Sequence, residues 1–453
     1  MKTTLRSTDP VASGDPHAVA AQPITFPPML RQVWILMLGC ASLSTLFHLF
    51  WALVLHRHGH YRWPFSLNST DRFADFTIFK MKYAHWHQPD FFSIGFPINY
   101  PAPLIDLFEA FFLLPRYPTV AFIVFTTACL IVPCILFARA LRSRDIRPGV
   151  AAAFSITLFL FSWPGLLLID GANMEIAVWV VTALGFWGLA TGRDNVAAIG
   201  FGLAGSFKLF PFVLLAIFLS EKKYGKFMLG IATMAGMTLV SLWILGPTVH
   251  EAWAGVAYGI ASFKTNYMAQ WHSGENGVDH SLFALIKFSM ICTHLHGTKD
   301  FFRPLTAYLA ITSIGGFALY LFKIRLLPAM NQALSLTVAS IYLTAFSGDG
   351  TLIHLYAPFA MLTFLAIDAW KRKIKVPGLQ ATMLTLTFIL SPVSFFIVKD
   401  HRYEGQIKCL ALTLLFYLAL RYPFGPALQG NTSPDALACP DATLVEGSQP
   451  EPA

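Results

Sequence analysis

The sequence predicts an all-α polytopic membrane protein, a bundle of roughly 10 to 12 transmembrane helices that includes one re-entrant hairpin. Three observations predict it. Of 453 residues, 55% are hydrophobic and 12% charged, whereas about a quarter of a soluble domain is charged. Apolar runs recur from Val33 to the region of Leu420 with short gaps between them, so the chain builds one bundle rather than several soluble domains. The Lys and Arg residues behind the net charge of +8 fall in short clusters between those runs. That is the pattern of membrane orientation, not of a nucleic-acid-binding surface.

Residues 1–30 are polar, with Lys2 and Arg6 and no apolar run, and are expected to be a disordered cytoplasmic tail rather than a signal peptide. The transmembrane domain is expected over residues 31–422, its first span at 33–55. The densest basic cluster of the first half, Arg139, Arg142, Arg144 and Arg147, follows the apolar run 117–141. Placing that cluster in the cytoplasm puts the amino terminus inside and residues 56–116 outside, as a loop with interfacial helices. The runs 150–163, 176–190, 226–245, 302–321, 333–346, 355–370, 379–398 and 409–420 then alternate, with 247–300 as a second outer loop. The tail 423–453, rich in Pro, Gly, Ser and Thr, ends inside and is expected to be disordered.

One run does not alternate. Residues 195–219 are apolar, but Arg193 precedes them and Glu221, Lys222, Lys223 and Lys226 follow. The run is too short for two crossings at about 1.5 Å per residue. It reads as a re-entrant hairpin broken at Phe207-Lys208-Leu209-Phe210-Pro211, where Pro211 stops the helix.

Under this topology the conspicuous polar residues face outward. They are Asp71, Asp75, Asn99 and Tyr100; Asp170, Asn173 and Glu175; the loop 272–280 with Asn276 and His280; and Ser347, Asp349 and His354. A transporter would instead gather its ionisable groups at the midplane between two related halves, and no internal repeat is visible. A cleft at the outer face suits a substrate with a lipid tail and a polar head. It needs a carboxylate to take a proton from a hydroxyl and a cation to hold a phosphate leaving group.

Asp75 is the best base, since it opens the aromatic segment 76–86 after the first span; the alternative is a carboxylate that merely caps or charges the first turn of that helix. Asp71 and Asp90 read as loop carboxylates. His85 and His87 stand at i and i+2 and so do not share a helical face. Lys208 lies inside an apolar run, where a lysine costs about 3 kcal/mol unless it meets water or a partner. It binds phosphate, snorkels, or pairs with a buried carboxylate. His354 follows Ser347-Gly348-Asp349-Gly350 and either meets substrate or is a neutral ring bonded to backbone. Asn276 and His280 are candidates for sugar hydroxyls, or simply part of a turn. Cys40, Cys129, Cys134 and Cys409 sit in apolar runs, Cys439 is alone in the tail, and no CxxC spacing occurs, so neither a disulfide framework nor a metal site is expected.

These pieces together resemble the polyprenyl-phosphate-mannose-dependent mannosyltransferase-like proteins of glycosyltransferase family 87, with the GT-C fold. The resemblance rests on Asp75-Phe76, Asn99-Tyr100-Pro101-Ala102-Pro103, Gly171-Ala172-Asn173-Met174-Glu175, Lys208-Leu209-Phe210-Pro211, and Asn276 with Ser281-Leu282. The step at Lys208 is the most specific. The chain departs from the family pattern at Gly171-Ala172-Asn173, where Gly-Gln-x-Asn is usual, and at Tyr100-Pro101-Ala102-Pro103, where Tyr-Pro-Pro is. The resemblance implies an inverting transfer of a hexose, mannose first, from a polyprenyl-phosphate sugar to a glycolipid or glycan at the outer face of the cytoplasmic membrane. It implies Asp75 as base, Lys208 and His354 on the donor phosphate, and no cofactor. A lipid or solute transporter of the envelope, or a non-catalytic subunit, is the alternative.

Overall fold

The computed structural model describes residues 26–54, 73–88, 91–94, 98–114, 116–270, 278–293, 300–393, 397–398 and 401–425. It is helical apart from a two-residue strand pair, Ile397–Val398 with His401–Arg402. In chain order the helices are α1 Pro28–Leu53, α2 Ala74–Tyr83, α3 Ala102–Phe112, α4 Pro118–Arg142, α5 Pro148–Leu160 and α6 Trp163–Gly171. They continue with α7 Glu175–Ala190, α8 Asp194–Phe207, α9 Ala216–Ser220, α10 Tyr224–Leu245 and α11 Val249–Phe263. The last are α12 Leu282–Cys292, α13 Phe302–Phe322, α14 Ala329–Tyr342, α15 Tyr356–Lys371, α16 Leu379–Leu390 and α17 Glu404–Arg421.

Helices lie over every apolar run named above, but not all are long. Among the described residues five helices are long and apolar enough to cross a membrane alone, and α5 with α6, bent by 50°, makes a sixth. The count stops short of the roughly 10 to 12 expected because four of the expected runs fold as α7, α14, α16 and α17, of 16, 14, 12 and 18 residues, shorter than the about 20 residues a crossing takes. Pro164 sits at the α5–α6 bend and removes a helical hydrogen bond there. Helix α1 starts at Pro28, inside the segment expected to be tail, and Phe26 packs edge-on against Trp34 and Phe154.

Ion pairs tie the turns between helices. Lys371 meets Asp145 at 2.8 Å and Lys223 meets Asp194 at 2.9 Å and Glu221 at 2.8 Å. These pairs tie the α4–α5 turn to the end of α15, and the α7–α8 turn to the α9–α10 turn.

The run 195–219 folds as α8, a break at Lys208 and Leu209, a 3-10 turn Phe210–Leu215, and α9. Both outer ends of this unit return to the Lys223 pairs, as a hairpin requires. Lys208 itself is extended, with φ −145° and ψ 140°, because Pro211 cannot continue the helix. Between α2, α3 and α4 a cluster of rings fills the core, with Phe79 stacked on Phe108 at 4.0 Å and Phe76 4.8 Å from Phe112. The aromatic segment expected to lie in the interface is therefore packed into the protein on the Phe76 and Phe79 side, while Thr77 and Lys80 face outward.

Candidate active site

Helix α6 ends at Ala172, whose left-handed backbone (φ 48°) reverses the chain. Asn173 follows, and its Oδ1 accepts from the Glu175 amide at 2.8 Å, the side-chain turn that asparagine favours. The same side chain reaches outward with its other group: Nδ2 donates to Asp75 Oδ2 at 2.6 Å. Asp75 is brought there because the Phe73 amide, at the start of α2, bonds the Asp170 carbonyl of α6 at 2.9 Å. One asparagine thereby fixes both the start of α7 and the position of the Asp75 carboxylate.

Glu175 is almost wholly buried, and its two oxygens are each taken. Oε2 pairs with Lys208 Nζ, and Oε1 meets His354 Nε2 at 2.8 Å. Lys208 arrives from the break of the hairpin, and His354 from a 3-10 segment Asp349–Leu355 that leads into α15. Phe210 of the hairpin touches the His354 ring edge-on at 5.2 Å. The Lys208 side chain is 23% exposed against 2% for Glu175, so the lysine reaches toward the surface and the carboxylate stands behind it.

Tyr100 sits at the centre of the group. Lys208 Nζ lies 5.3 Å from its ring centroid, a cation over an aromatic face. Burial first, then the charges of Asp75 and Glu175, hold its hydroxyl well above the usual pKa, with an Asn173 hydrogen bond acting the other way. Tyr100 therefore stays a neutral hydroxyl.

The structure thus joins Asp75, Tyr100, Asn173, Glu175, Lys208 and His354. Asn99 is half-buried next to Tyr100 in the chain. His280, expected at the substrate, is fully buried and sits instead 3.6 Å from Asp349 in another cluster. The reason is local: the His280 amide bonds the Ser347 carbonyl at 3.0 Å, which tucks its ring inward. Asn276, Asp71 and Asp90 lie outside the described residues. Of the readings open to Lys208, the pair with a buried carboxylate is the one the structure shows; sequence reasoning did not name Glu175 as the partner, because the two are 33 residues apart and neither is within a helical turn of the other's motif. Nor did it find Lys408 and Glu404, whose spacing of four on one helix face was the available signal.

A cavity of about 540 Å³ opens between the turn after α2 and the α10–α11 junction, lined by His87, Phe91, Phe92, Pro247, Glu251 and Tyr258 among others. Among the described residues no group of three His, Cys, Asp or Glu stands together in a metal-holding arrangement.

The profile of glycosyltransferase family 87 matches residues 99–347, more than half of the chain. The chain belongs to glycosyltransferase family 87. It is accordingly a membrane glycosyltransferase, with a sugar donor and an acceptor. A search of curated proteins gives no match. Asp75 and His354 lie on either side of the matched stretch in sequence, and the fold returns both to Asn173 and Glu175 within it.

Proposed function

We propose that this family 87 enzyme transfers a hexose, mannose first among the candidates, from a polyprenyl-phosphate sugar to a glycolipid or glycan acceptor, with inversion, at the outer face of the cytoplasmic membrane. The observation that carries the reading is the convergence around Tyr100. One half-exposed carboxylate (Asp75) and one partly exposed cation (Lys208) are both held to a fixed frame, Asn173 with Glu175. The outer-face assignment is supported by the positive-inside reading of the cluster Arg139, Arg142, Arg144 and Arg147.

The chemistry follows from those positions. Asp75 takes the proton of the acceptor hydroxyl as its oxygen attacks the anomeric carbon, and the bond from that carbon to the phosphate oxygen breaks with both electrons leaving on the phosphate. Lys208 stabilises the charge gathering on that phosphate. Glu175 touches no substrate; it orients Lys208 and His354. His354 Nδ1 is buried and without a hydrogen-bond partner among the described residues, so one ring nitrogen is held by Glu175 and the other remains for the donor head group. The aromatic cavity beside α2 accommodates an apolar part of the lipid substrates. The test is incubation of the purified protein with radiolabelled polyprenyl-phosphate mannose, glucose and arabinose plus membrane lipids. A labelled lipid or glycan from one donor supports the reading; none from any of them removes it.

A further inference from the structure

The segment that carries His354 is held by a second buried cluster, for which the mechanism above has no use. Lys408, in the second turn of α17, places Nζ 3.3 Å from Asp349 Oδ1 and 3.1 Å from Glu404 Oε1. His280 Nδ1 stands 3.6 Å from the same Asp349 oxygen. All four side chains are buried, and the Trp163 ring covers Lys408 at 5.2 Å. Burial, then the Lys408 charge, pushes the His280 ring well below its usual pKa, so it adds no second cation.

Asp349 is the first residue of the 3-10 segment and His354 is the sixth. Behind the segment, Asp279 Oδ1 accepts from the Ser281 and Ser347 amides at 2.9 and 3.0 Å. Beyond it, the Tyr356 hydroxyl bonds Ser162 and accepts from the Gly165 amide at 3.1 Å. The segment is thus fixed at both ends, and the fixing charge at its start comes from the last helix of the bundle. A buried ion pair adds little net stability over an apolar pair of the same volume, while losing one partner costs about 3–5 kcal/mol. Geometry, rather than stability, is what such a pair supplies.

We propose that Lys408 is a positioning residue of the donor site. By holding Asp349 it sets where the 3-10 segment begins, and so where His354 stands between Glu175 and the donor phosphate. The proposal rests on the donor reading above, in which His354 meets that phosphate.

The probe is polyprenyl phosphate, the leaving group common to all three candidate donors, bound to the full-length protein in detergent. A triple variant, Lys408→Met with Asp349→Asn and Glu404→Gln, removes the lysine together with the charge of both carboxylates that it meets. Its affinity for polyprenyl phosphate should fall about tenfold in the native background, yet less than about twofold when His354→Gln is already present, because the effect passes through His354. Equal losses in both backgrounds, or no loss in the native one, overturn the proposal. Thermal unfolding checks the fold of the triple variant; if it does not fold, Lys408→Arg, which keeps the charge but shifts its nitrogens, is put through the same cycle against the same criterion. The two readings separate cleanly. His354→Gln binding as well as wild type removes the donor role and the latch together, whereas weakened His354→Gln with an unaffected triple variant removes the latch alone.

Discussion

Lys208 and Glu175 decide what the site can do, and they do so as a pair. Their ion pair changes the outcome expected of a lone lysine in an apolar run. Lys208→Met leaves the Glu175 carboxylate buried with only His354 beside it, so the variant should lose stability as well as turnover. Lys208→Met combined with Glu175→Gln should recover the thermal unfolding midpoint while turnover stays down by about a hundredfold or more. Recovery of both would make the pair purely structural. The residue types of this site were legible in the sequence: a lysine at the end of a Gly- and Ala-rich helix, an Asn-x-Glu step, and an Asp-Phe step after the first span. Their pairing was not, because it depends on α7 and α8 lying antiparallel, which no local pattern states. The burial of His280 against Asp349 was not legible either, since a histidine at the end of a polar stretch gives no sign of which partner it will meet.

A second residue-scale consequence concerns acid. Burial raises the Asp279 carboxyl from 3.8 to about 6, against the opposing hydrogen bonds from the Ser281 and Ser347 amides. A raised folded-state value means that its stabilising contribution is complete below about pH 4 and is lost as the pH rises through about 6. Asp279→Asn keeps an accepting oxygen and cannot ionise. The thermal midpoint of wild type relative to that variant should therefore fall between pH 4 and pH 7. A constant difference over that range would show that Asp279 ionises normally in the fold.

At the scale of elements, the site depends on how closely α7, α8 and α10 approach one another. Glycines make the contact: a Cβ at Gly200 would stand 2.6 Å from the Gly185 amide nitrogen, and one at Gly202 would stand 2.4 Å from the Gly230 carbonyl oxygen. Small residues let helix backbones pack this tightly in a membrane. Gly200→Ala should push α8 off α7, at a cost of about 1–3 kcal/mol, and move Lys208 relative to Glu175. Both the unfolding midpoint and turnover should drop. Gly236→Ala on α10, where nothing lies within 4 Å of the added carbon, should leave both unchanged and serves as the control. Element order and helical class were legible, since hydropathy and Pro or Gly punctuation mark each helix. The lengths were less so: α16 ends at Leu390, short of its apolar run 379–398, and the ring packing that buries Phe76 and Phe79 comes from α3 and α4, whose approach no pattern within α2 states.

At the scale of the whole molecule, lysine–carboxylate pairs recur: Lys371 with Asp145 and Lys223 with Asp194 at the turns between helices, Lys208 with Glu175 and Lys408 with Asp349 in the buried polar clusters. Under the proposed reading, a lipid-linked donor meets base, cation and frame together at the Asp75 group. Asp75 is the centre of that account. It lies in the first turn of α2, whose N-cap is Phe73 with no side-chain cap bond. Asp75 is therefore not the cap, and its non-catalytic role would be the charge it lends that turn, worth about 0.3–1 kcal/mol. Asparagine removes charge and basicity with little change of shape, and only loss of a catalytic base accounts for a large fall in turnover of a folded variant. The decisive measurement is the rate of radiolabelled mannose transfer from polyprenyl-phosphate mannose supplied to the outer face of sealed right-side-out vesicles, for wild type and for Asp75→Asn. The account predicts product with wild type and at least about a hundredfold less with the variant, its expression and donor binding retained; near-normal turnover by Asp75→Asn would contradict it.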